Sequence, residues 1–152
     1  MDKKRLAEIL HRAERLCQER GTRLTDQRRM VLELVCVAER PLSAYEILDL
    51  MRTKLNNPTP PTVYRALDFL VVLGLVHKLE TLHAFVGCTH PEYPHSSQFL
   101  ICVDCGEVNE LEDDLVDRSL RCAEKATGFE TKRRVVELVG SCAHCSKNLH
   151  DN

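Results

Sequence analysis

Two Cys-x2-Cys pairs constrain this chain more than any other feature of its sequence. They are Cys102 with Cys105 and Cys142 with Cys145. Four thiolates that meet in space form the closed, tetrahedral site of a structural zinc ion. The 36 residues between the pairs exceed the usual zinc-ribbon gap, but a predicted strand, helix and strand fill them and allow the pairs to meet. We therefore expect one structural zinc site; the alternative is two redox pairs or free thiols.

The cysteine count agrees with metal binding in a cytosolic protein. The first ten residues are charged and lack the apolar segment of a secretion signal, and no apolar run approaches the ~20 residues of a membrane span. We expect a cytosolic location, where eight cysteines favour metal or thiol chemistry over disulfides. Three of them fall on predicted helices and are expected to be packing residues: Cys17, Cys36 and Cys122.

The net charge of −2 conceals an uneven distribution along the chain. Residues 1–87 carry 14 Lys and Arg against 11 Asp and Glu, whereas residues 88–152 carry 7 against 12. A basic half joined to an acidic half indicates that only the first half meets the phosphates of a nucleic acid.

The first half shows helical periodicity that changes to a period of about two after Gly74. Helices followed by a β-hairpin are typical of a winged helix-turn-helix domain. The predicted elements are helices at 3–19, at 25–38, from 43 to a break at 56–58, and at 60–73, followed by strands at 75–79 and 84–88.

Start signals support three of these helices. Thr25 and Thr59 stand at N-cap positions, and Pro60 then occupies a first helical position, where its missing N–H costs nothing. Ser43 and Glu46 have the spacing of a capping box.

The second half follows a stretch without periodicity at residues 89–97, which we interpret as a hinge. Strands are predicted at 98–103, 107–111 and 130–140, and a helix at 113–127. The last strand is apolar on both faces, so we expect a second copy of the chain to cover one face.

The predicted fold class is α+β. It comprises an N-terminal winged helix-turn-helix DNA-binding domain at 1–88, the hinge at 89–97, and a small α/β dimerisation domain with a structural zinc at 98–152.

A second, looser set of metal-binding side chains consists of His77, Cys88, His95 and Glu110. Two imidazoles, one thiolate and one carboxylate suit four-coordinate zinc. Each also has a plain interpretation: a strand surface residue, a small apolar filler, a loop residue and a solvated charge. Two further histidines are spare ligands for this set: His83 and His90.

The helix that begins at Pro60 is the candidate recognition helix, because exposed polar groups fall in its first turns. Arg65 is the best candidate to read a base, since an arginine can bond two acceptors on guanine, and Tyr45 is the second. Thr62 and Tyr64 are expected to contact phosphate or to pack. The alternative is a surface helix with a solvated arginine.

These motifs together resemble the ferric uptake regulator family over roughly residues 5–147. The family's Thr-Val-Tyr-Arg helix corresponds to residues 62–65, and its Ser-Ala-Tyr segment corresponds to residues 43–45. The zinc-sensing branch of the family is the most similar. Its regulatory ligands fall on His77, Cys88, His95 and Glu110, and its structural ligands fall on the four cysteines of the two pairs.

The resemblance implies a zinc-responsive transcriptional repressor of zinc uptake genes, not an enzyme, which acts as a homodimer on double-stranded DNA. It implies two zinc ions per chain, one structural and one regulatory, the latter fixing the DNA-binding domains relative to the dimer core. Asp49 and Arg52 form either a local i,i+3 pair or a contact between two dimers on one operator.

One departure bears on the metal. Many iron-sensing members carry a His-His-Asp-His run where this chain has His95-Ser96-Ser97-Gln98. Fewer hard ligands and a thiolate at Cys88 disfavour iron and manganese, although neither change excludes nickel or cobalt.

Three other functions remain as alternatives. An iron- or peroxide-sensing regulator of the same family is the first. A zinc-stabilised protein-interaction module is the second. A zinc hydrolase is disfavoured, because four ligands close the site and no catalytic motif is present.

Overall fold

The computed structural model describes residues 3–91 and 97–150, without the side chains of 148–150. The chain divides into two compact units, Met1–Pro94 and His95–Asn152. Each described unit combines helices with a three-stranded sheet, which confirms the predicted α+β class. No helix among the described residues has the length and apolar character needed to span a membrane.

The first unit is a helical bundle followed by a small antiparallel sheet of strand order β1-β3-β2. The predicted hairpin is confirmed as β2 and β3. Strand β1 was not predicted, because two residues are too few to show a period of two. The elements are α1 (Lys3–Glu19), α2 (Asp26–Val37), β1 (Leu42–Ser43), α3 (Ala44–Arg52), α4 (Pro60–Val72), β2 (Val76–Leu79) and β3 (Ala84–Gly87).

The predicted capping box at the start of α3 is confirmed. The Ser43 hydroxyl accepts a hydrogen bond from the Glu46 backbone N–H at 3.3 Å, and the Glu46 carboxylate accepts one from the Ser43 N–H at 2.8 Å. Arg40 and the Ser43 N–H lower the pKa of the Glu46 carboxyl to about 2. The box fixes the start of α3, and therefore the position of Tyr45 in its first turn.

The start of α4 differs in detail from the prediction. Thr59 occupies the N-cap position and Pro60 the first helical position, but the Thr59 side chain makes no capping hydrogen bond. Its hydroxyl lies 3.0 Å from the hydroxyl of Thr62 instead. The proline already removes one of the N–H groups that a cap would have to satisfy, so α4 starts without a side-chain cap.

The core of the first unit lies between its helices and the hairpin. Arg28 on α2 stacks on Phe69 of α4, with the guanidinium carbon 3.5 Å from the ring centroid, and this cation–π contact joins the two helices at the edge of the core. The inward stripe predicted for α4 is confirmed as buried: Val63, Ala66, Leu67 and Leu70.

The second unit has a mixed sheet of strand order β5-β4-β6, in which β4 pairs antiparallel with β5 and parallel with β6. The predicted helix between β5 and β6 is confirmed. Asp113 caps it by accepting from the Leu115 N–H at 2.7 Å. The elements are β4 (Gln98–Cys102), β5 (Val108–Leu111), α5 (Asp114–Thr127), β6 (Val136–Gly140) and α6 (Ala143–His150).

The predicted strand at 130–140 is wrong in its first half, since β6 begins only at Val136. The strand starts where its partner starts, because Val136 pairs with Gln98, the first residue of β4. Arg134, just before β6, turns its side chain to α5. Its guanidinium bonds both Glu124 carboxylate oxygens at 2.7 Å and Asp117 at 3.1 Å. Helix α6 was not predicted, because the residues after Cys145 show no apolar stripe.

Two apolar side chains of β6 are about half exposed among the described residues. Leu138 is 55% exposed and Val139, which points to the opposite face of the sheet, is 49% exposed.

The different N-caps of α3 and α4 predict a contrast between two hydroxyl deletions. Ser43→Ala should lower the free energy of unfolding of the first unit by ~1 kcal/mol, because it removes a cap bond. Thr59→Ala is the matched control and should cost clearly less, because its hydroxyl bonds no backbone N–H. Urea unfolding followed by tyrosine fluorescence measures both, since Tyr45 and Tyr64 lie in this unit. Equal losses would contradict the capping assignment.

Candidate metal centres and nucleic-acid interface

The sheet of the second unit brings the two cysteine pairs together. Because β4 and β6 run parallel, Cys102 at the end of β4 lies opposite Gly140 at the end of β6. Cys142, two residues further on, therefore reaches the same edge of the sheet. Its backbone N–H donates to the Cys102 sulfur at 3.2 Å.

Local turns present the second cysteine of each pair. Gly106 donates its N–H to the Cys102 carbonyl at 3.0 Å and has a φ of 75°, a left-handed conformation that favours glycine. This turn presents Cys105. Helix α6 starts directly after Cys142, with the Ser146 N–H donating to the Cys142 carbonyl at 2.9 Å. Cys145 thus lies in the first turn of α6.

The four sulfur atoms lie within 4.8 Å of one another. The Cys105 and Cys142 sulfurs are 3.9 Å apart. Tetrahedral coordination with Zn–S bonds of ~2.3 Å places sulfurs roughly 3.8 Å apart, so the donor set fits zinc. One cluster of four thiols, rather than two separate pairs, favours the zinc interpretation over the redox one.

The electrostatics of the cluster also favour a cation. The Cys142 backbone N–H, followed by that of Cys105, lowers the pKa of the Cys102 thiol to about 6. The pKa of Cys145 is raised, first by its interaction with the Cys142 thiol and then by burial. Four thiolates this close repel one another, and a divalent cation removes that repulsion.

Two of the four residues in the second predicted metal set, His77 and Cys88, lie close together in the first unit. His77 lies on β2 and is half-buried, and Cys88 directly follows β3 and is 3% exposed. The Cys88 N–H donates to the Leu75 carbonyl at 3.0 Å, which extends the hairpin by one bond. A ring nitrogen of His77 and the Cys88 sulfur lie within 4.8 Å of each other. An imidazole and a thiol so placed can bind one soft metal ion.

The other members of this set are placed as follows. Glu110 lies on β5 of the second unit, is half-buried, and accepts a hydrogen bond from the Ser97 hydroxyl at 2.7 Å. Ser97 was not predicted as a partner of Glu110, because the two residues lie 13 positions apart and no local pattern links them. His95 lies outside the described residues. The two spare histidines, His83 at the hairpin turn and His90 after β3, are exposed.

The candidate DNA-binding residues lie in the first turns of α3 and α4. Tyr45 is 63% exposed and Tyr64 is 44% exposed. Arg65 is exposed and Thr62 is half-buried. The opposite side of α4 is the buried stripe, so its polar side is available to a groove.

The pair predicted near this surface is present as a local ion pair. Arg52 and Asp49 approach to 2.9 Å, three residues apart on α3, and both side chains are exposed.

A winged helix-turn-helix unit followed by an α/β unit with a four-cysteine metal site defines a class of metal-binding transcription factor. The model of the ferric uptake regulator family matches residues 19–139, and the chain belongs to that family.

Individual proteins and solved structures are also similar to this chain. The zinc uptake regulation protein of Escherichia coli strain K12 is 40% identical over 146 residues, which span 95% of this chain and 85% of that protein. The structure of a zinc uptake regulator complexed with zinc and DNA has a TM-score of 0.88 at 39% identity and covers 95% of this chain and 97% of its own. The crystal structure of holo XcZur has a TM-score of 0.81 at 47% identity, and the match covers 92% of this chain and 98% of that one.

The four-cysteine site predicts a contrast between two exposed cysteines of the second unit. Cys105→Ser should lose the tightly held zinc, because the closed site needs all four thiolates, and thermal unfolding should shift downward. Cys122→Ser, which alters an exposed thiol on α5, should change neither. Zinc content per chain after mild chelation measures the effect. Full zinc retention in Cys105→Ser would show that this assignment is wrong.

Proposed function

We propose that this protein is a zinc-responsive, DNA-binding transcriptional repressor that controls zinc uptake genes. The observation that carries the proposal is the buried Cys88 thiol beside the His77 imidazole on the wing of a winged-helix unit. A thiolate and an imidazole select a soft or borderline metal such as zinc over iron. Kinship with the zinc uptake regulation protein of Escherichia coli supports the same metal.

Each chain holds two zinc ions in this proposal. The four cysteines of the second unit hold the structural ion. His77, Cys88, His95 and Glu110 hold the regulatory ion. These four ligands belong to the wing, the predicted hinge and the second unit, so in this proposal one ion joins side chains from both units.

The regulatory ion acts as a co-repressor by restricting the orientation of the DNA-binding units. A dimer binds both half-sites at once only when its two recognition helices have the matching spacing. Zinc shifts the population toward that arrangement if it binds that arrangement more tightly, and couplings of ~1–3 kcal/mol are typical.

The repressor acts as a homodimer. The exposed apolar side chains of β6, Leu138 and Val139, support this assembly, because a second copy would bury them. We further propose that two dimers bind one operator. The exposed ion pair of Asp49 and Arg52 then offers complementary charges to a neighbouring dimer. A DNA target places the protein in the cytosol.

Arg65 reads a base, and Tyr45 contacts a base methyl or a phosphate. Thr62 and Tyr64 contact phosphate or support the helix. The net positive charge of residues 1–87 supports this side of the chain as the one that meets DNA.

Two rivals are separable by measurement. An iron- or peroxide-sensing regulator would bind its operator in response to iron or manganese, and Cys88 argues against it. A zinc-stabilised protein-interaction module would lack the steep salt dependence of DNA affinity. No catalytic role is proposed.

Cys88→Ser tests the regulatory site. The variant should lose zinc-dependent operator binding, by ~10-fold or more in affinity, because it removes a ligand and leaves the fold in place. Structural zinc and dimer formation should be unchanged. Cys17→Ser is the control, since it alters an equally buried thiol on α1. Fluorescence anisotropy with labelled operator across a zinc titration gives the result; a normal zinc response in Cys88→Ser would refute the assignment.

Arg65→Ala tests base reading. The variant should lose ~1–3 kcal/mol of discrimination between the matched operator and one mutated at the contacted guanine, so that its two binding curves converge. Arg15→Ala removes the same charge from an exposed position of α1 and should leave the discrimination intact. Unchanged discrimination in Arg65→Ala would remove Arg65 from this role.

A further inference from the structure

Gly87, the last residue of β3, approaches α2 so closely that no side chain fits there without movement. A Cβ at this position would lie 2.9 Å from the Cys36 sulfur and 3.2 Å from the Cys36 Cα. The φ of Gly87 is not positive, so the backbone conformation does not itself require glycine. The glycine is therefore needed for the close approach of the strand to the helix.

The close contact lies directly beside the proposed regulatory ligands. Gly87 pairs with Val76 on the other side of the hairpin, and Cys88 follows it with an N–H bond to the Leu75 carbonyl. The Cys88 sulfur then lies within 4.8 Å of a His77 nitrogen. The backbone that leads into Cys88 is thus held between β2 on one side and Cys36 on the other.

Cys36 is suited to packing against the strand and not to binding the metal. It is buried on α2, and burial raises the pKa of its thiol to about 12. The thiolate is the form that binds metal, and this thiol stays protonated at neutral pH.

We propose that the contact between Cys36 and Gly87 positions the Cys88 sulfur against the His77 imidazole. The affinity of these two ligands for the regulatory metal then depends on that contact. This inference rests on the proposed function of that site. A shift of a few tenths of an ångström at residue 87 moves the next residue with it, and metal sites are sensitive to how their ligands are oriented.

A double-mutant cycle in the full chain tests the contact. Gly87→Ala should weaken zinc binding at the regulatory site ~10-fold or more, because the new methyl group meets the Cys36 sulfur. Cys36→Ala should weaken it less, by ~3-fold, because the strand loses its support. The double variant should bind zinc more tightly than Gly87→Ala, because loss of the sulfur removes the 2.9 Å contact and leaves the methyl group only the 3.2 Å approach to the Cys36 Cα. Competition with a chromogenic zinc chelator, on protein that retains its structural zinc, gives the affinities.

Two further measurements separate positioning from other roles. Cys36→Ser keeps an atom in contact with Gly87 and should keep the zinc affinity, whereas a direct Cys36 ligand would not tolerate it. Cys17→Ala removes a similarly buried thiol from α1 and should lower thermal stability without changing the zinc affinity.

Several results would overturn the inference. Wild-type affinity in Gly87→Ala would do so, as would a double variant no better than the worse single one. If Gly87→Ala does not fold, Cys36→Ala decides, since wild-type zinc affinity in that variant would overturn the inference. Failure of the proposed function is a different result, namely a wild-type chain whose DNA binding ignores zinc.

Discussion

Parallel pairing of β6 with β4 is the constraint on which the second unit depends. It places Gly140 opposite Cys102, so that the chain after β6 arrives beside the turn after β4. The unit has little else to stabilise it, because its buried residues among those described are Gln98, Phe99, Ile101 and Cys102, and α5 buries none. A zinc ion at four thiolates contributes on the order of 10 kcal/mol, which such a small core cannot replace.

The first unit is built differently. Its core contains large side chains that are wholly buried, among them Leu32, Ile47, Met51 and Leu67. Helices α2 and α4 are tied together at the edge by Arg28 and Phe69. This core fixes α4, the candidate recognition helix, and the hairpin to one another, so a change in the position of the hairpin also moves the candidate DNA-binding surface.

Local signals made much of this architecture predictable. The capping box of Ser43 and Glu46 was correct because both partners lie within four residues, and so was the hairpin. Strand β1 and helix α6 were missed because neither shows a clear periodicity in the sequence. The strand predicted from residue 130 was too long, because β6 begins only where its partner β4 begins, with Val136 paired to Gln98. The ends of a strand depend on its partner, which the local sequence does not show.

The candidate sites show the same division. The two Cys-x2-Cys pairs could be recognised from the sequence, because each pair is local. Only the approach of one pair to the other depends on the fold. The contact of Cys36 with Gly87 joins residues of α2 and β3, so neither residue type nor spacing reveals it. His77 and Cys88 were named as candidate ligands from their residue types, and the structure adds that the hairpin brings them within 4.8 Å of each other.

The placement of the two proposed metal sites agrees with the different role that each ion has in the proposed function. An ion whose removal unfolds its unit cannot be exchanged as a signal, because the protein is lost with it. A reversible signal needs ligands on a scaffold that folds without the metal. The hairpin meets this requirement, because it is anchored on a core of its own, with Phe85 of β3 and Val76 of β2 both buried in it. In the proposed function, the imidazole and thiol on that hairpin therefore bind the exchangeable ion, and the four cysteines bind the permanent one.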